Sequence, residues 1–62
     1  MSLTEREKQI LRLRAVGLSD YRVARKLRVD ATGVTRSRKN ALRKIERARA
    51  DLEFVEQVGA KK

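Results

Sequence analysis

Residues 3–27, LTEREKQILRLRAVGLSDYRVARKL, and residues 28–45, RVDATGVTRSRKNALRKI, read as one continuous helix-turn-helix unit. Thr4 with Glu7 three residues on is the signature of a capping box, which starts a helix. Leu3 precedes the cap, and Ile10, Leu11 and Leu13 supply the apolar positions. Gly17 follows, a residue free to take the left-handed conformation that ends a helix. Ser19 is placed to cap a second helix, in which Val23, Ala24 and Leu27 recur at helical spacing. Ala24 is small where two crossing helices need their backbones close. The turn is Arg28-Val29-Asp30, with Val29 expected to plug the core and Asp30 to cap the third helix. Arg28 stands where glycine is usual. A left-handed arginine there costs on the order of 1 kcal/mol relative to glycine. The third helix is expected from near Ala31, and apart from Gly33 in its first turn it meets no breaker before Gly59.

Composition narrows what such a unit can do. A chain of 62 residues is one domain at most. At this size folding buries only about 60% of the unfolded surface, so a lone monomer is marginal. The sequence has no Cys and no His, which excludes disulfides, zinc fingers and histidine acid–base chemistry. Without clustered carboxylates either, it carries nothing expected of an enzyme and calls for no cofactor or metal. The net charge is +9, from 17 Lys and Arg against 8 Asp and Glu. The excess is concentrated: residues 31–49 hold seven basic side chains and one acidic one, Glu46. That concentration points to a polyanionic partner. Tyr21 and Phe54 are the only aromatics, too few for the stacking platforms of single-stranded RNA recognition. No apolar run is long enough to span a bilayer, and no signal peptide is visible. The expected setting is cytoplasmic and nucleoid-associated, with no membrane and no small-molecule ligand involved.

The stretch LTEREKQILRLRAVGLSDYRVARKL resembles the DNA-binding domain of LuxR-type response regulators, and GVTRSRKNALRKIERAR is similar to region four of bacterial sigma factors. The LTER start, the GLS turn and the ALRKIERAR helix together resemble Tfx-type archaeal transcriptional regulators, over about residues 3–53. The resemblance implies a third helix that enters the major groove of duplex DNA. It makes Val34 the buried anchor of that helix. Thr35, Arg36 and Lys39 fall on positions that reach base edges or nearby phosphates, with Ala31 and Thr32 one turn earlier on the same base-readout face. Helical spacing agrees: residues 32, 35, 36, 39 and 43 share one face, while 34, 41 and 45 share the other. Arginine can read guanine through two parallel hydrogen bonds, which singles out Arg36 for base specificity. Ser19 and Arg22 lie at the start of the second helix, where phosphates are bound. Arg38 and Arg43 are further phosphate candidates.

Beyond the motif, Ala41, Ile45, Ala48, Leu52 and Val55 repeat in steps of four and three, the pattern of a coiled-coil seam. Phe54 and Val58 add a second apolar edge. A core of this kind closes by about Ile45, so the rest either folds back on the first helix or, as expected here, pairs with a second copy. Arg43, Lys44, Arg47 and Arg49 precede the middle of this segment, and Asp51, Glu53 and Glu56 follow it. An antiparallel pair crossing near Ala48 would set Lys44 beside Asp51 of the other helix.

The sequence therefore predicts an all-α protein: a tri-helical helix-turn-helix over residues 1–46, a helical dimerisation extension over 47–58 and a disordered basic tail over 59–62. The expected function is a transcription regulator that binds double-stranded DNA in a sequence-specific manner as a homodimer. Two other readings fit the charge: an architectural protein of the nucleoid with little sequence preference, and an adaptor that docks on the transcription machinery.

Overall fold

The computed structural model describes residues 2–60. Three helices follow in order: α1 (Glu5–Ala15), α2 (Asp20–Leu27) and α3 (Ala31–Ala60). There is no strand among the described residues.

Each boundary has a local cause. The Thr4 hydroxyl accepts from the Glu7 N–H at 3.1 Å, and the Thr4 N–H donates to Glu7 Oε1 at 2.8 Å. The capping box is complete. At the other end of α1, Gly17 has φ +102°. Its N–H donates to the Arg14 carbonyl at 3.0 Å, and that of Leu18 to the Leu13 carbonyl at 3.2 Å. This is a Schellman closure, and Leu13 and Leu18 both pack on the core beside it. Ser19 then caps α2 by accepting from the Arg22 N–H at 3.2 Å. Arg28 ends α2 in the left-handed region, with φ 59° and ψ 46°. The Val29 N–H reaches back to the Ala24 carbonyl at 3.0 Å, so a non-glycine residue makes the same kind of closure as Gly17.

The core is small. Ile10 of α1, Val23 and Ala24 of α2 and Val34 of α3 are buried, with Leu13, Leu18, Leu27 and Ala31 half-covered around them. Val29 does not plug this core as expected; it is 40% exposed. The backbone turn at Arg28 carries it outward, and Leu18 and Leu27 fill the periphery instead. Asp30 does precede α3, and its carbonyl accepts from the Val34 N–H at 3.1 Å. No hydrogen bond to its carboxylate is present among the described residues.

Past the core α3 runs on as a free arm, which stretches the molecule to 50 × 20 × 15 Å. Every side chain from Glu46 to Gly59 is exposed. The expected tail over 59–62 is shorter at its start: Gly59 and Ala60 are the last helical residues, because a continuous backbone ladder tolerates one glycine. Lys61 and Lys62 lie outside the described residues.

Replacing Arg28 by glycine removes the strain of a left-handed β-carbon. We expect Arg28→Gly to raise stability by about 1 kcal/mol, a rise of about 4–8 °C in melting temperature for a domain of this size. Thermal unfolding followed by circular dichroism checks it, and an unchanged or lower midpoint would show that the turn carries no strain.

Candidate nucleic-acid interface

Val34 enters the core from one side of α3, so the opposite side faces solvent. Ala31, Thr32, Thr35, Arg36 and Lys39 together line one shallow, open depression there. Thr32, Arg36 and Lys39 are exposed, while Ala31 and Thr35 are half-buried at its edge. These five are the residues that the sequence places at base edges. Farther along, Arg43, Arg47 and Asn40 border a second concavity with Lys44, Ala48 and Asp51. Arg22 is exposed at the start of α2; Ser19 is exposed too, its hydroxyl already engaged as a cap.

Two ion pairs hold α3 against the other helices. Lys44 Nζ donates to Glu7 Oε1 at 2.8 Å and to the Ser2 carbonyl at 3.3 Å. Glu7 is 6% exposed, so this carboxylate serves the capping box and the interhelical pair at once. The Lys44 hydrogen bond, seconded by the Thr4 N–H, holds its pKa below the ordinary value. The second pair centres on Asp20, which the sequence did not single out. Arg38 Nε donates to both Asp20 oxygens, at 3.0 and 3.1 Å, and the Thr35 hydroxyl donates to Oδ2 at 2.9 Å. Arg14 Nε stands 3.5 Å from Oδ1. The Arg38 bond is the chief cause that lowers the Asp20 pKa, against a smaller opposing effect of burial.

Thr35 and Arg38, placed at DNA by sequence, are thus already partnered within the chain. The interhelical charge argument also changes. Lys44 is committed to Glu7, so it is not the free cation that would meet an Asp51 of a second copy. Nor is Ala41 part of an outer seam: it is fully buried in the domain's own core. Ile45 is half-buried, and Ala48, Leu52 and Val55 continue the same strip into solvent. Phe54 and Val58 leave that strip. At 3.6 residues per turn they sit roughly 160° and 120° around the axis from Leu52.

With this geometry, a three-helix domain with a basic third helix, the chain matches the family model of bacterial regulatory proteins of the luxR family (GerE) over residues 1–52. It belongs to that family. It is 42% identical over 59 residues to a Pyrococcus abyssi protein described as a candidate transcriptional regulator. That match covers 95% of this chain and 41% of the relative. It is 38% identical over 53 residues to the DNA-binding protein Tfx of Methanothermobacter thermautotrophicus, covering 86% of this chain and 38% of the relative. A Tfx protein of Methanothermobacter marburgensis matches to the same extent. The chain therefore spans about two-fifths of the length of the curated relatives it matches. No solved structure matches it.

The lowered carboxylate pKa values set a pH dependence. Their folded values lie below the unfolded ones, so the stabilisation is complete above the unfolded pKa and is lost as pH falls through the folded one. The melting temperature should hold from neutrality to about pH 5, then drop below the ordinary carboxylate range near ~4. Glu7→Gln, which can keep the cap, should flatten part of that drop. An acid limb identical in wild type and variant would remove Glu7 from it.

Proposed function

We propose that this chain is a duplex-DNA-binding transcription regulator that presents α3 to the major groove. The observation that carries the reading is the open depression on the far side of Val34. Its exposed guanidinium and ammonium groups, Arg36 and Lys39, stand beside the hydroxyl of Thr32. A groove floor offers acceptors and methyl groups, and these side chains complement both. Ala31 and the methyl of Thr35 give the apolar contacts of the same face. Arg22 and Arg43, exposed on either side, take phosphates, with the Ser19 cap fixing the first turn of α2 near one of them. A protein named for DNA binding among its relatives supports the reading. Work on the chromosome implies an intracellular setting, and no helix among the described residues is long and apolar enough to cross a membrane.

The active form is a homodimer. Ala48, Leu52 and Val55 prolong the strip on which Val34 and Ala41 are buried and Ile45 half-buried, yet nothing among the described residues covers them. A marginal core gains most from such pairing.

Selection of bound sequences from a random duplex pool tests the first part. A defined half-site motif is the expected result; no enrichment would favour the architectural reading. Arg36→Ala should relax preference at one position of each half-site, costing about 1–3 kcal/mol there. An unaltered motif would take Arg36 out of base readout. For the dimer, sedimentation equilibrium should give twice the chain mass at tens of micromolar, and Leu52→Glu the mass of one chain. Wild type sedimenting as one chain without DNA would leave the strip unpaired and sink the dimer.

A further inference from the structure

We propose that Asp20 is a positioning residue for DNA readout: its carboxylate fixes the rotation of α3 about its own axis by holding Thr35 and Arg38, and so decides which side chains of α3 the groove meets. The proposal rests on the DNA-binding reading above.

Asp20 is the first residue of α2. Its carboxylate meets Thr35 and Arg38 of α3 and, at 3.5 Å, Arg14 of α1. All polar side-chain links between α2 and α3 among the described residues pass through it. The apolar cluster that α2 and α3 share holds Val23, Ala24 and Val34, with Leu27 and Ala31 packed against it, and apolar burial has no directional preference. Farther along α3, Ala41 is buried and Lys44 meets Glu7 of α1, but at the turns that carry Arg36 and Lys39 the apolar seat is valine and alanine, which alone set the angle loosely. Two donors spaced three residues apart on α3 that converge on one carboxylate fix it.

The tolerance at stake is narrow. A rotation of about 20° at the helix's outer radius of ~5 Å moves a side-chain tip by about 2 Å. Hydrogen bonds to a base edge hold only over a few tenths of an ångström. Arg36 and Lys39 each follow a held residue by one position, so their direction is set by Asp20.

The arrangement has a second effect. Asp20 puts a negative charge at the start of α2, beside Arg22, where phosphates are expected, and it occupies Arg38. It therefore lowers non-specific attraction while it sharpens readout. Loss of Asp20 should move these two properties in opposite directions, a pattern that neither simple destabilisation nor a simple charge change produces. Destabilisation weakens binding to every duplex alike. A charge change alone tightens binding to every duplex and leaves preference intact.

The test measures affinity of the full chain for its selected duplex and for a scrambled duplex, across a salt series. Wild type is compared with Asp20→Asn, Asp20→Ala and Arg38→Ala, each at a temperature where circular dichroism shows it folded. For the Asp20 variants the ratio of selected to scrambled affinity should fall at least tenfold. Affinity for scrambled duplex should hold or rise, and the salt slope should steepen by up to about one as Arg38 is released to a phosphate. Arg38→Ala should leave the wild-type slope unchanged. If an Asp20 variant does not fold, Thr35→Val removes one of the two donors and keeps the ion pair; its ratio should fall while its slope stays at the wild-type value. An unchanged ratio in every folded variant overturns the proposal. So does a slope lowered by about one in Arg38→Ala, which would make Arg38 a phosphate ligand in the wild type. Failure of wild type to bind either duplex would instead overturn the DNA-binding reading itself.

Discussion

Everything in this molecule hangs on Val34. One β-branched side chain at the start of a 30-residue helix is seated among Ile10, Val23 and Ala24. The sequence has no Cys for a disulfide, so this small cluster, with the two ion pairs beside it, keeps the three helices together. It also assigns the faces of α3. Once Val34 points inward, Ala41 and Ile45 follow it at helical spacing, and Thr32, Arg36 and Lys39 must point outward. The depression proposed to meet DNA is thus the back of the core.

A seat made of so few apolar atoms is supplemented by polar links at two places along α3. Lys44 binds Glu7 of α1, and about two turns closer to the start of α3 Thr35 and Arg38 bind Asp20 of α2. Each carboxylate has more than one partner, so removing it leaves several groups unpaired at once. The Asp20–Arg38 pair is only half-buried, which spares it much of the desolvation cost that makes interior ion pairs poor stabilisers, while the buried Glu7 offsets that cost with the Lys44 and Thr4 hydrogen bonds. The two links act at different radii and heights, so together they restrain sliding as well as turning.

The features legible in sequence were those whose cause is local. Thr4 with Glu7, Gly17, Ser19 and the left-handed Arg28 each declare a helix end within a few residues, and each is found where it was expected. Val34 and Ala24 were legible from periodicity; Ala41 was on the right face but assigned to an outer seam, whereas the domain's own core buries it. Asp20 was not legible, because its partners lie 15 and 18 residues away on another helix. Only the angle at which α2 crosses α3 brings them together. The same gap explains Lys44, read as a free cation although it meets Glu7 across 37 residues. Val29 shows the limit of hydrophobicity as a guide: the backbone turn before it decides where it points. The arm from Glu46 onward was read as helix, with Phe54 and Val58 on a second apolar edge, and helical phase does set both apart from Leu52.

Charge is distributed along α3 against the usual rule. Its first turn has no acidic residue and its last no basic one. Residues 31–49 carry seven cations against one anion, and residues 50–60 carry three anions and no cation. Side-chain charge therefore adds to the helix macrodipole instead of opposing it. Over residues 31–60, α3 is a rod with a positive head and a negative arm, ahead of the two lysines that close the sequence. In the field of a polyanion such a rod experiences a torque as well as a pull. The head swings inward and the arm outward before any contact forms, so fewer encounters arrive in the wrong orientation. The cost is borne by the helix's own stability; the gain, for the DNA-binding role proposed above, is in the speed of finding a site.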